Sequence, residues 1–197
     1  MIVKVQSGTG RSCQRAAEAK PPRKRRPRAG RALPIHNDFA RWLKENRSRL
    51  PTRLIARRRF ADGGREYRFP AAPDLRVLVG DCVFEVRVVH EGEVFDILVD
   101  FDVVPKKDAA GYYCEWCADA GRTERFADRA TLLTEHTFEP FAAWCRETLR
   151  ADKRLVLERY ACGSTTARIC DGQDAGDIKP TSASMYVVKP VLHATER

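Results

Sequence analysis

The chain has 197 residues, 43% of them hydrophobic, and a formal net charge of +9 at pH 7. No apolar run approaches the roughly 18 residues of a membrane helix, so the sequence predicts no such helix. No apolar core follows the first residues, so the sequence predicts no secretory signal either. Seven cysteines, an odd number, predict reduced thiols rather than a disulfide scaffold. We therefore expect a cytoplasmic protein, with nucleoid association, or a nuclear location in a eukaryote, as the alternatives.

The positive charge is concentrated at the N-terminus. Residues 1–35 contain ten Lys and Arg against one acid, residues 36–70 carry a net +6, and residues 71–197 carry a net −6. Residues 20–31 consist only of Lys, Arg, Pro, Ala and Gly, so no large apolar side chain offsets the entropy of ordering them. The sequence predicts a disordered basic arm over 1–35 and a single α+β domain over 36–197. In that domain, a basic helix and an Arg-rich hairpin (36–70) precede an acidic sheet–helix body (71–197).

After the arm, a helix is predicted to begin at Asn37 or Asp38 and to end near Leu50, before Pro51. Its apolar side is predicted from the helical spacing of Phe39, Trp42 and Leu43. Residues 53–60 and 65–69 flank an Ala-Asp-Gly-Gly segment and predict a hairpin. The first of these strands carries Arg57, Arg58 and Arg59 on both faces, which a central strand does not tolerate, so we expect it at a sheet edge.

The acidic body is predicted to be mostly strands. Residues 75–89 and 94–104 alternate apolar and polar side chains and predict two long strands joined by a turn at 90–93. A short strand or knuckle at 111–117, a helix over about 138–149, a hairpin of 155–162 with 165–170, and a last edge strand at 185–192 follow. The expected fold is α+β: a mostly antiparallel sheet of about five to seven strands packed against two helices.

A zinc knuckle is the strongest local motif. Cys114 and Cys117 are separated by two residues, a spacing at which both thiolates reach one zinc ion, and His136 is a natural third ligand. Cys162 is the candidate fourth ligand, with Cys170 as its alternative. Zinc here is predicted to be structural, and two incidental reduced cysteines are the competing interpretation.

Carboxylates define a second candidate site. Asp96, Asp100 and Asp102 share one face of the predicted second strand, and Glu85 lies on the strand before it. Such a row can hold Mg²⁺ for phosphodiester hydrolysis. An ordinary solvated sheet face, with Arg76 or Arg87 pairing with the aspartates, is the competing interpretation.

Basic residues define the third candidate. Clustered cations bind polyanions through counterion release, and aromatic residues among arginines suit stacking on unpaired bases. We therefore expect a non-enzymatic accessory protein that binds nucleic acid. The alternatives are a protein-interaction module, whose acidic body binds a basic partner, and a Mg²⁺-dependent nuclease. The predicted nucleic-acid contacts are Arg23, Lys24, Arg25, Arg26, Arg28, Arg57, Arg58 and Arg59.

Overall fold

The computed structural model describes residues 35–61, 63–81, 83–97, 99, 101–119, 121, 124–173 and 183–193. The predicted arm lies outside these residues, so its disorder and the domain boundary at residue 35 stay predictions. Among the described residues, none of the helices combines the length and apolarity needed to cross a membrane.

The first helix, α1 (Ile35–Glu45), buries one side and exposes the other. Phe39 and Trp42 are buried, as the helical spacing predicts, whereas Leu43 is half-buried; Ile35, before the predicted start of the helix, is buried as well. The prediction of one helix reaching Leu50 is wrong, because α1 ends at Glu45 and a short 3₁₀ turn, Arg47–Arg49, follows. The side chain of Asn46 donates to the carbonyl of Trp42 at 2.9 Å, a local bond that competes with helical continuation.

Five antiparallel strands form the first sheet in the order β1-β2-β3-β4-β5. They are β1 (Ile55–Arg59), β2 (Arg65–Phe69), β3 (Ala72–Val79), β4 (Phe84–His90) and β5 (Glu93–Phe95). The predicted single strand over 75–89 is in fact the β3–β4 hairpin, in which the amide of Gly80 donates to the carbonyl of Val83 at 2.8 Å. The predicted turn at 90–93 is confirmed, with positive φ at Glu91 and Gly92.

The predicted second long strand is only partly regular. After β5 the chain stays beside β4, but the pairing is irregular. Val88 pairs with Phe95, and the amide of Val86 donates to the carbonyl of Val99, so two positions along β4 correspond to four positions along the other segment. The carbonyl of Asp96, in this irregular segment, accepts from the amide of Ala167 and so joins the first sheet to a later one.

A two-stranded ribbon and a helical segment follow. The ribbon pairs β6 (Pro105–Asp108) with β7 (Gly111–Cys114), and the short helix α2 (Glu115–Asp119) comes directly after it. The predicted helix near 138–149 begins earlier, as α3 (Arg129–Leu133), with Asp128 capping its first turn at 2.9 Å. A π-helical turn (Thr134–Phe138) joins α3 to α4 (Glu139–Thr148). Pro140, which has no N–H to donate to the carbonyl of His136, lies at this junction.

The last three strands form an antiparallel sheet in the order β10-β8-β9. They are β8 (Lys153–Tyr160), β9 (Thr165–Asp171) and β10 (Ala183–Pro190). The turn between β8 and β9 lies between the two strands of the predicted hairpin, since the amide of Gly163 donates to the carbonyl of Tyr160 at 2.9 Å. β10 occupies an edge, as Pro190 predicts.

Aromatic side chains form the centre of the core. Phe39 of α1 is fully buried and its ring lies 4.8 Å from that of Phe84 on β4 and 5.8 Å from that of Phe141 on α4. Tyr67 of β2 and Phe138 complete the cluster. The helices thus cover one face of the five-stranded sheet, and the predicted α+β fold with antiparallel strands is confirmed. Within the described residues the strands number ten, in three sheets.

Candidate nucleic-acid interface

The first strand presents its arginines to solvent at a sheet edge. β1 pairs only with β2 in the five-stranded sheet, which confirms the predicted edge position. Arg57, Arg58 and Arg59 are all exposed. The pairing of β1 with β2 shifts register between Ala56 and Arg58, so Arg57 lies in a bulge. Bulges and charged residues at an edge both discourage pairing with another strand, so this edge suits a charged ligand better than sheet extension.

The cations of residues 36–70 are mostly unneutralised. Three of the ten form ion pairs, Arg41 with Asp38, Arg49 with Glu139, and Arg68 with Glu66. The other seven have no carboxylate partner within the part of the chain that the structure describes. These seven are Lys44, Arg47, Arg53, Arg57, Arg58, Arg59 and Arg65.

The body has the opposite pattern. Of its thirteen described Lys and Arg residues, ten form ion pairs with carboxylates. Lys106 with Glu115 at 3.3 Å and Arg150 with Asp152 at 2.9 Å are typical. The unneutralised positive charge of the described domain is therefore concentrated in α1 and the segment that follows it to the start of β2.

A second group of arginines crosses the sheet on the side away from the core, which we call the outer face. Arg68 on β2 is directly opposite Arg76 on β3, and Arg76 is directly opposite Arg87 on β4. Their neighbours Tyr67, Val77 and Val86 point into the core. We call these three cations the arginine row. Their side chains are 27% to 50% exposed, so the row is open to solvent.

Two glutamates lie beside the arginine row. Glu66 is 2.6 Å from Arg68 and 3.8 Å from Arg76, and Glu85 is 2.5 Å from Arg87. Like charges directly opposite on neighbouring strands repel, and the glutamates offset this repulsion. Three guanidinium groups against two carboxylates leave the row with one excess positive charge. The sequence interpretation paired Arg76 or Arg87 with the aspartates, whereas their partners are these glutamates.

A groove lies on the outer face beside β1. Its volume is about 330 Å³, and Phe60, Leu78 and Val83 provide its apolar walls. Asp81, Glu85 and Arg87 add polar groups to its lining. Phe60 directly follows β1, and the guanidinium of Arg58 lies 5.6 Å from the centre of its ring. The groove is thus continuous with the exposed arginines of β1.

The structure places two of the predicted zinc ligands, Cys117 and His136, close together. The thiol of Cys117 lies 3.9 Å from Nδ1 of His136, and Nε2 of the same ring lies 3.9 Å from Glu124. Cys114 is buried at the end of β7, and Cys162 lies in the β8–β9 turn, where its thiol is 3.0 Å from the hydroxyl of Ser164. Among the described residues, no group of three or more His, Cys, Asp and Glu side chains is arranged to hold a metal ion. The zinc site stays a prediction.

Two of the candidate carboxylates have separate partners. Asp102 accepts a hydrogen bond from the amide of Phe84, and Glu85 pairs with Arg87. The side chain of Asp96 is exposed in the irregular segment after β5. Asp100 lies outside the described residues, so the carboxylate row also stays a prediction.

A cluster around Asp74 was not identified from the sequence. Asp74 on β3 lies 2.7 Å from Lys189 on β10, 3.1 Å from Nδ1 of His90 and 3.6 Å from His193. Burial alone would raise the pKa of Asp74, but hydrogen bonds from Lys189 and His90 outweigh it and hold the pKa below its ordinary value. The group joins the five-stranded sheet to the last strand, so it has a structural role.

Comparison of the chain with protein-family models, with curated proteins and with solved structures found no match. Of the predicted nucleic-acid contacts, the structure places Arg57, Arg58 and Arg59, whereas those in the arm, 23–28, lie outside the described residues. The arginine row was missed as a group, because its alignment depends on the β3–β4 turn. The candidate function therefore rests on charge and geometry alone.

Proposed function

We propose that this protein binds nucleic acid through the exposed arginines of β1, with no catalytic step of its own. The observation that carries the proposal is the unequal distribution of ion pairs. Seven of the ten cations in residues 36–70 have no carboxylate partner among the described residues, whereas ten of the thirteen cations that the structure describes in the body have one. Unneutralised arginines repel one another, and a polyanion relieves that repulsion on binding.

The identity of the cations also supports the proposal. Six of the seven unneutralised side chains are arginines, whose planar guanidinium groups donate bidentate hydrogen bonds to phosphate oxygens. The arginine row extends the positive surface across the sheet. The predicted contacts in the arm, Arg23, Lys24, Arg25, Arg26 and Arg28, would add further phosphate contacts as part of the same proposal.

The salt dependence of binding tests this proposal. The full-length chain and a variant with Arg57→Gln, Arg58→Gln and Arg59→Gln are titrated with a fluorescent oligonucleotide at increasing salt concentration. Each lost phosphate contact reduces the slope of log K against log salt concentration by about 0.7 on a single strand, so three lost contacts reduce it by about 2. A second full-length variant, with glutamine at the five basic positions of 23–28, measures the contribution of the arm.

A charge-matched control separates local contacts from net charge. Lys106→Gln, Arg150→Gln and Arg168→Gln remove the same three charges, but each of these cations pairs with a carboxylate, at 3.3, 2.9 and 3.3 Å. This control is expected to keep the wild-type slope. Equal losses in the two triple variants, or no binding by the wild type at low salt, would contradict the proposal.

A further inference from the structure

The groove beside β1 has the composition of a site for one aromatic ligand. Its volume of about 330 Å³ is at the lower end of the range for small-molecule pockets, which suits a single heterocycle better than a larger ligand. Phe60, Leu78 and Val83 form apolar walls. Val83 is 38% exposed, so part of this apolar surface faces solvent. Such walls bind a planar ring by stacking and by exclusion of water.

The polar groups of the groove match the edge of a nucleobase. Asp81 presents carboxylate oxygens, which accept hydrogen bonds from exocyclic amino groups, and Glu85, paired with Arg87 at 2.5 Å, keeps its second carboxylate oxygen as a further acceptor. Arg87 presents N–H donors on the same lining, suited to carbonyl and ring-nitrogen acceptors. Stacking surface with both donors and acceptors is what an unpaired base requires.

The surroundings of the groove indicate what carries the base. Arg58 contacts the ring of Phe60, with 5.6 Å between the guanidinium carbon and the ring centre, and Arg57 and Arg59 are exposed on the same strand. Arg58 is opposite Glu66 and so lies on the outer face with the groove, and a base in the groove would have its backbone phosphates near Arg58 at the edge of the sheet. A base within a duplex is stacked between its neighbours and cannot enter such a groove.

We propose that the groove lined by Phe60, Leu78 and Val83 binds one unpaired base of a single-stranded nucleic acid, whose phosphates contact the arginines of β1. This inference rests on the proposed function and deepens it from nucleic acid in general to single strands. It assigns Phe60 as the stacking residue and Arg58 as the cation that links base and phosphate recognition.

Phe60 variants test the inference on the full-length chain. Phe60→Leu keeps an apolar side chain and removes the aromatic ring, and Phe60→Trp keeps a ring. Stacking on an aromatic side chain predicts that Phe60→Leu weakens binding of a single strand roughly five- to a hundred-fold, while Phe60→Trp stays within about twofold of wild type. Binding of the same sequence as a duplex is expected to be unchanged in both variants. DNA and RNA forms of the strand are titrated in parallel.

A matched control and an optical readout complete the experiment. Tyr113 lies beneath Arg125, with 4.2 Å between the guanidinium carbon and the ring centre, so Tyr113→Leu removes a comparable ring from the β6–β7 ribbon. This variant is expected to bind as the wild type does. A single strand containing 2-aminopurine reports stacking, with its fluorescence quenched on wild type and not on Phe60→Leu.

The outcomes distinguish this inference from the proposed function. If the arginine triple variant loses binding while Phe60→Leu binds single strands as the wild type does, the groove is excluded and the cationic surface stands. If Phe60→Leu weakens single-strand and duplex binding equally, base stacking is also excluded. If the wild type binds neither form, the proposed function itself fails. Loss confined to the single strand, with quenching lost in parallel, supports the base site.

Discussion

Replacing Asp74 by asparagine removes the charge at the centre of the cluster that joins β3 to β10. The carboxylate accepts from Lys189 at 2.7 Å and lies 3.1 Å from His90, and the side chains of all three are less than 20% exposed. Hydrogen bonds to charged groups that are shielded from water contribute about 1.5–3 kcal/mol. We expect Asp74→Asn to lower the free energy of unfolding by about 2 kcal/mol, which corresponds to a decrease in Tm of roughly 4–8 °C for a domain of this size.

The direction in which the stability loss of Asp74→Asn changes with pH follows from the pKa shift of Asp74. The pKa of Asp74 is lower in the folded protein than in the unfolded chain, where it is about 3.9. A lowered folded-state pKa stabilises the fold above the unfolded-state pKa, and the stabilisation is lost as the pH falls through the folded-state value. The difference in unfolding free energy between wild type and Asp74→Asn is therefore expected to shrink below about pH 4. Among the described residues, Lys189, His90 and His193 are the charged or titratable groups that contact Asp74, and Glu91 lies 3.9 Å from Nε2 of His90.

Urea denaturation followed by circular dichroism at several pH values measures this difference. Asp171→Asn is the matched control, because Asp171 also pairs with a lysine, Lys153, at 2.9 Å, but its side chain is 57% exposed. An exposed pair of this kind contributes less than about 1 kcal/mol. If the two variants lose equal stability, or if the loss in Asp74→Asn grows as the pH falls below 4, the reasoning from burial and shared hydrogen bonds is wrong.

Two further predictions concern a backbone turn and the zinc site. Gly111 has φ of +129° and an added Cβ would lie 2.5 Å from the carbonyl oxygen of Phe126, so Gly111→Ala is expected to cost more than about 2 kcal/mol by chemical denaturation. Gly163→Ala, with φ of +89° and no atom within 4 Å of the added Cβ, is expected to cost only about 1–2 kcal/mol, and a larger loss there would contradict the steric argument. If Cys114, Cys117 and His136 bind structural zinc, elemental analysis of the purified chain is expected to find about one equivalent, and Cys117→Ser is expected to lose it. Zinc below about a tenth of an equivalent, with the fold of Cys114→Ser unchanged, would exclude the site, and zinc retained by Cys162→Ser would exclude that residue as the fourth ligand.

The elements whose apolar spacing is regular could be predicted from the sequence. The buried side of α1 and the core positions Phe84, Val86 and Val88 follow directly from periods of 3.6 and 2. The edge position of β1 followed from its charges alone, because adjacent arginines on both faces cannot be buried. In each of these cases the residues of one element are enough to predict its buried side or its position in the sheet.

The β3–β4 turn was missed although the sequence contains a signal for it. From Leu75 onwards the buried positions of β3 are odd-numbered, as at Val77 and Val79, whereas those of β4 are even-numbered, as at Phe84 and Val86. A continuous strand cannot change the parity of its buried side chains, so the phase shift around Gly80 marks a break. The irregular course after β5 has no comparable signal, because it depends on the pairing of Asp96 with the distant strand β9.

The missed turn also explains why the arginine row was not predicted. Arg76 and Arg87 lie on one face only if β3 and β4 pair as a hairpin, and Arg68 joins them only through the β2–β3 register. In a single continuous strand, these two side chains would point to opposite faces, since they are separated by an odd number of positions. Glu66 and Glu85, which the same register places beside them, reduce the repulsion within the row. The excess positive charge of the described domain is thus greatest towards β1, beside the groove at Phe60, and an anionic strand bound there would neutralise cations that have no carboxylate partner among the described residues.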